Sequence, residues 1–129
     1  CFERRSMKIE RVEDDLQEAV CAYLKLVVPS EVIWFAASNG AVIGGTGKVR
    51  AMRVARLKRM GMKVGIPDLI FMRRHHPFGI ELKAPGKEKN LSPNQRDVRK
   101  DFASAGLLYY VATSIDEVTE ILRLERIIN

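Results

Sequence analysis

The stretch that decides the fold is residues 64–87, VGIPDLIFMRRHHPFGIELKAPGK. Two apolar runs, DLIFMRR at 68–74 and FGIELKA at 78–84, flank a His-His-Pro connection and predict an antiparallel hairpin. Charged residues interrupt both runs. Residues i and i+2 of a strand share a face, so Glu81 and Lys83 stand side by side while Ile80 and Leu82 turn into the core. Asp68 opens the preceding strand, and a strand spacing of roughly 4.8 Å can bring its carboxylate near Glu81. Two carboxylates that close repel each other unless something positive intervenes. A hard divalent cation fits, because Mg²⁺ takes oxygen ligands at about 2.1 Å and keeps several waters. Lys83 beside it would hold a water or stabilise charge developing on a phosphate. The competing reading is an exposed sheet face with a cross-strand ion pair, since Glu-x-Lys alone is common.

Outward from the hairpin, residues 11–27 read as an amphipathic helix, with Val12, Leu16, Ala19 or Val20, and Tyr23 or Leu24 at helical spacing. EVIWFAA, 31–37, is β-branched and aromatic and predicts a strand. SNGAVIGGTG, 38–47, is loop, and 48–60 predicts a basic helix that ends near Gly61. After the hairpin, Ser92 is an N-cap, Pro93 takes the first helical position, Gln95 completes a capping box and Gly106 stops the helix. LLYYVAT, 107–113, predicts a buried strand, and Ser114 with Glu117 repeats the capping grammar ahead of a last helix. The order is α-β-α-β-β-α-β-α. An α/β fold follows: a single domain with one mixed sheet flanked by helices on both faces.

A length of 129 residues suits one domain. CFERRS, residues 1–6, fits no element and reads as a tag remnant or disordered tail before Met7, which leaves 7–129 as the domain. Cys1 and Cys21 have no metal-site spacing and give no disulfide framework. No apolar run approaches the ~18 residues of a membrane span and no signal peptide is evident, so a cytoplasmic protein without a membrane partner is expected, in a bacterium or a phage-infected host. The net charge is +6, and between Glu31 and Glu81 the only acid is Asp68. That interval holds Lys48, Arg50, Arg53, Arg56, Lys58, Arg59, Lys63, Arg73 and Arg74. A basic middle suggests nucleic acid as partner, against the plainer reading of a solvated face.

Other motifs carry less. GGTGKV, 44–49, lacks the glycine and hydroxyl residue that a P-loop needs at Val42 and Val49, so no nucleotide cofactor is expected. His75 and His76 are adjacent on a short turn, where their side chains diverge rather than share a metal. Trp34 and Phe35 read as core rather than as a base-stacking platform.

GIPDLIF followed by GIELKAPG resembles the PD-(D/E)xK nuclease signature, with Pro67-Asp68 and Glu81-Leu82-Lys83. More closely, the chain resembles the virus-type replication-repair nuclease (VRR-NUC) domain. It has Glu13 and Gln17 on the first helix, Asn39-Gly40, the lysine-bearing LKRMGMKVGIPDLIF, then IELKAPG, then LSPNQ with Gln95. The likeness runs from about residue 10 to 115; the segment AVIGGTGKVRAM, 41–52, departs from it by being long.

The resemblance implies a restriction-endonuclease-like core and a DNA endonuclease dependent on Mg²⁺, with Mn²⁺ as substitute. It implies that Asp68 and Glu81 bind the metal with the backbone carbonyl of Leu82, that Glu13 reaches a ligand or a metal-held water, and that Gln17 supports it one turn on. Lys83 would orient the attacking water, and Gln95 would position the site or the phosphate. Asn39, Lys48, Arg50, Arg53, Arg56, Lys58, Arg59, Lys63 and Lys87 are the candidates for DNA contact. Stand-alone members dimerise and act on four-way junctions, so a homodimer on branched or flapped DNA is the expectation. The alternative is a non-catalytic DNA-binding module or a subunit of a larger nuclease assembly; metal binding at Asp68 and Glu81 separates the two.

Overall fold

The computed structural model describes residues 2–37 and 43–129, with side chains from Met7 onward in the first helix. The order is α1 (Phe2–Val27), β1 (Ile33–Ala36), α2 (Gly47–Arg59), β2 (Leu69–Met72), β3 (Phe78–Leu82), α3 (Pro93–Ser104), β4 (Leu108–Ala112) and α4 (Ile115–Leu124). This is the α-β-α-β-β-α-β-α order expected from the sequence. The first helix starts well before Arg11, because the backbone of 2–6 continues it, so those residues do belong to an element. Asn39 and Gly40 lie outside the described residues.

One four-stranded sheet runs β1-β2-β3-β4. β2 pairs antiparallel with β1 and with β3, and β4 lies parallel to β3. The hairpin connection turns through His75, whose φ is 64°, and the His76 N–H donates to Arg73 O at 2.8 Å. Strand alternation divides the sheet into two faces. Leu69, Phe71, Phe78, Ile80, Leu82 and Ala112 form one, packed with Val20 and Leu24 of α1 and with Val118, Ile121 and Leu122 of α4. Phe71 and Phe78 stack at 4.8 Å in its centre. Val12, expected in the apolar stripe of α1, is exposed, because that stripe meets the sheet only from Leu16 onward.

α3 covers the β3–β4 half of the other face, through Val98 and the preceding Leu91 against Tyr109, with Phe102 and Val111 at the margin. β4 is less buried than expected: it is an edge strand, and Leu108 is exposed. α2 carries no buried residue. Among the described residues, no helix is long and apolar enough to cross a membrane.

The helix caps follow the sequence closely. Gln95 N–H donates to Ser92 Oγ at 3.1 Å and Ser92 N–H to Gln95 Oε1 at 2.9 Å, a complete capping box. At α4, Glu117 N–H donates to Ser114 Oγ at 3.1 Å, but the Glu117 carboxylate accepts from the Thr113 N–H at 2.8 Å, one residue earlier than a capping box requires.

Pro67 lies against Gly79, where a Cβ would stand 2.3 Å from the proline Cγ. Gly79→Ala should therefore overpack a closed site and lower stability by about 1–3 kcal/mol. A urea melt in which the variant loses nothing would show that the Pro67–Gly79 contact is not tight.

Candidate active site

The acids of the hairpin sit where β3 outruns β2. The register pairs Leu69 with Ile80, and β3 then continues along β4 as far as Leu82 opposite Ala112. Past that point the Lys83 N–H donates to Ala112 O at 3.0 Å. The N–H groups of Leu82 and Ala84 point the other way, both residues are buried, and buried N–H groups need partners. Carboxylates supply them. Leu82 N–H donates to Asp68 Oδ2 at 2.8 Å, and Ala84 N–H to Glu13 Oε2 at 2.9 Å. The strand end thus pins an acid from β2's approach and an acid from α1 beside Glu81 and Lys83.

Gln95 ties the remaining two together. Its Nε2 donates to Glu81 Oε2 at 2.8 Å, and its Oε1 accepts from Lys83 Nζ at 3.0 Å. Lys83 Nζ lies 3.6 Å from the same Glu81 oxygen. The other oxygen, Glu81 Oε1, is buried with no donor among the described residues and stands beside the Asp68 carboxyl; the residue is only 3% exposed. A buried carboxylate oxygen without a donor is costly, and a cation is one remedy.

Burial, followed by the nearby Asp68 charge, pushes the Glu81 carboxyl up to about 8; Lys83 opposes the shift and Glu13 adds to it. The Asp68 carboxyl is raised as well, chiefly by burial, while the Leu82 N–H holds it back. Both shifts favour the protonated form, so a cation bound there would compete with protons.

The cleft around these groups has a volume of about 310 Å³ and is lined also by Glu10, Asp14, Gln17, Gly65 and Ser92. Gly65 has φ 96° and lies so close to the start of α3 that a Cβ there would meet the Asn94 carbonyl at 2.5 Å. Tyr109 steadies that loop by donating to Gly65 O at 3.3 Å.

Asp68, Glu81, Lys83, Glu13, Gln17 and Gln95 are thus gathered in one cleft. Glu18, also on α1, does not line this cleft but a neighbouring groove with Cys21 and Lys25, which shares Asp14 and Gln17 with it. The basic candidates do not converge there. Lys48, Arg50, Arg53, Arg56, Lys58 and Arg59 are exposed on α2, Lys63 pairs with Asp101 at 3.2 Å, and Lys87 is exposed in the turn after β3. Glu10 and Asp14 were missed, although Glu10, Asp14 and Gln17 recur at helical spacing on one face of α1. Among the described residues, no three His, Cys, Asp or Glu side chains converge as a ready-made metal cage.

A solved structure described as a "VRR_NUC domain protein" matches with a TM-score of 0.61 and 26% identity, covering 86% of this chain and 84% of that one. No family model and no curated protein matches the chain. The fold is the VRR-NUC nuclease-type fold, a mixed sheet flanked by helices of the restriction-endonuclease kind.

The raised Glu81 carboxyl has a measurable consequence. Its folded value, about 8, lies above the ordinary 4.5, so the proton it holds favours the folded state fully below pH 4.5. That contribution is lost as pH rises from about 4.5 to about 8. Metal-free protein should lose urea resistance across this window, and Glu81→Gln should flatten the loss. Parallel curves for the two proteins would show that Glu81 is ionised in the fold.

Proposed function

We propose that this chain is a metal-dependent DNA endonuclease that hydrolyses phosphodiester bonds in branched DNA, such as a four-way junction or a flap, in the cytoplasm. The observation that carries the proposal is the buried, unpartnered Glu81 Oε1 beside Asp68, with Lys83 held against the same carboxylate. The printed name of the matching structure, a VRR_NUC domain protein, supports the same class of activity.

The residues fit Mg²⁺ or Mn²⁺. All the donors are oxygens, the ligand type these ions take. Asp68 and Glu81 would hold it with the Leu82 carbonyl, and Glu13 would reach it through water. When bound, the cation neutralises phosphate charge and lowers the pKa of a coordinated water.

The chain's own groups do the rest. Lys83 directs an ammonium toward the cleft, where it orients the attacking water and stabilises negative charge as the phosphate becomes pentacovalent. Gln95 fixes that ammonium and the Glu81 carboxylate at once, and Ser92 N–H settles which end of the Gln95 amide faces which. Asp68 and Glu13 are oriented by backbone N–H groups rather than by flexible partners, which keeps the acids within tight limits. The exposed cations of α2, with Asn39, Lys63 and Lys87, would contact the phosphate backbone without reading bases. Asp68, Glu81 and Lys83 meet in a single cleft among the described residues, so paired cuts on two strands would need a two-fold dimer.

The test is gel cleavage of labelled junction, flap, nicked, single-stranded and duplex DNA with Mg²⁺, Mn²⁺ or EDTA. Cutting should require the metal, favour branched DNA, and fall about 10²–10³-fold in Lys83→Ala or Asp68→Asn. Binding without cutting under either metal would leave a DNA-binding module instead.

A further inference from the structure

Among the described residues, the sheet face that bears the carboxylates is only half covered. α3 shields its β3–β4 half, where Pro67 and Phe102 also approach Gly79. On the β1–β2 half the register sets Phe35 opposite Ile70 and Ile33 opposite Met72. Ile33, Phe35 and Met72 are 63%, 46% and 47% exposed. Ile70 and Met72 alternate along β2, and Asp68, one residue before it, continues the ladder opposite Ala37, so this patch and the carboxylates share a face. Ala37 N–H donates to Asp68 O at 2.8 Å, which makes Phe35 a diagonal neighbour of Asp68 at a Cα distance of roughly 7–8 Å.

We infer that this patch, centred on Phe35, seats an unpaired base of the nucleic acid substrate next to the phosphate held at Asp68 and Glu81. The inference rests on the nuclease reading above and narrows its substrate to DNA with an unstacked nucleotide beside the cut.

Three observations favour a base over a second copy of the chain. The exposed part of three side chains falls well short of the ~800 Å² per partner that a stable interface buries. The patch adjoins the cleft on one continuous face, so a protein seated there would cover the cleft's approach. The chain from 32 to 67 holds no acid, and this segment contains β1, which suits a polyanion. Beneath the patch, Trp34 stacks on Phe71 at 6.5 Å from the opposite face and stiffens the strand that presents Phe35.

An aromatic ring can take a base only when that base has left the duplex stack. Phe35 therefore discriminates between a flap or junction and a continuous duplex, which the phosphate contacts cannot do.

The experiment uses Ca²⁺-loaded full chain and oligonucleotides carrying 2-aminopurine, either unpaired at a flap base or paired in a duplex. Phe35→Ala should weaken flap binding about tenfold and leave duplex binding unchanged, with Phe35→Trp restoring it. Circular dichroism of both variants checks the fold. Equal loss on flap and duplex, or no loss on either, overturns the inference. So does a wild-type dimer, by sedimentation, that Phe35→Ala converts to monomer, since a second copy would then occupy the patch. Parallel Mg²⁺ cleavage separates the two readings. A selective Phe35 effect on binding with no DNA cut sinks the nuclease alone, and cutting that ignores Phe35 sinks the base platform alone.

Discussion

The Leu82 N–H donates to Asp68 Oδ2, and the arrangement of the cleft depends on that bond. β2 stops pairing with β3 at Leu69, and Pro67 before it has no N–H of its own. β3 goes on, held on its other side by β4 through Ala112. Its outward N–H groups would be orphaned in a buried place if no acceptor replaced the lost strand. Asp68 and Glu13 are those acceptors, at alternate residues, with Lys83 between them pointing into the cleft. The acids are therefore parts of the fold before they are parts of a site. Each has one oxygen bound to backbone, which fixes its direction and lowers its freedom to stray.

The start of α3 is the second constraint. A capping box normally satisfies two backbone donors and nothing else. In this chain the Gln95 side chain accepts from Ser92 N–H and from Lys83 while its amide nitrogen serves Glu81. A glutamate would cap equally well, but it would bring a further negative charge against a carboxylate already raised by burial and by the Asp68 charge. The helix end and the cleft thus require the same residue for different reasons. The close seat of Gly65 on Asn94 and Gln95 belongs to the same junction, since any larger residue would lift the loop off the helix.

Much of this was legible from residue order. Period-two alternation across 68–84 gave the hairpin and its faces, and Ser92-Pro93-Asn94-Gln95 gave the start of α3. Glu81 beside Lys83 was likewise readable, because strand geometry leaves no choice of face. The bonds to Leu82 and Ala84 were not, since they depend on where β2 ends relative to β3, and register is a tertiary fact. Phe35 was misread as core for a related reason. Alternation says which residues share a face, but not whether anything covers it, and α3 reaches only half of that face. Trp34, one residue earlier, does pack on the core, so the error lies in treating two neighbours on a strand alike.

The features that cost the fold most are few, and two of them lie on the sheet face that bears the carboxylates. Glu81 keeps a buried oxygen without a donor, and Phe35 and Met72 hold apolar surface in water. α2 adds a third case: it buries nothing, its Thr46 N-cap makes no side-chain bond, and its first turn has no acid to meet the helix dipole. A helix of 13 residues without a packed face is marginal in water, and its cations repel one another. Elsewhere the chain obeys ordinary rules, with paired caps, a stacked aromatic centre and a closed ladder. Local rules broken without compensation among the described residues point outward. On the proposed reading a cation would meet the carboxylates, an unpaired base the apolar patch and a phosphate chain the basic helix, so one nucleic acid ligand with its metal would relieve all three costs at once.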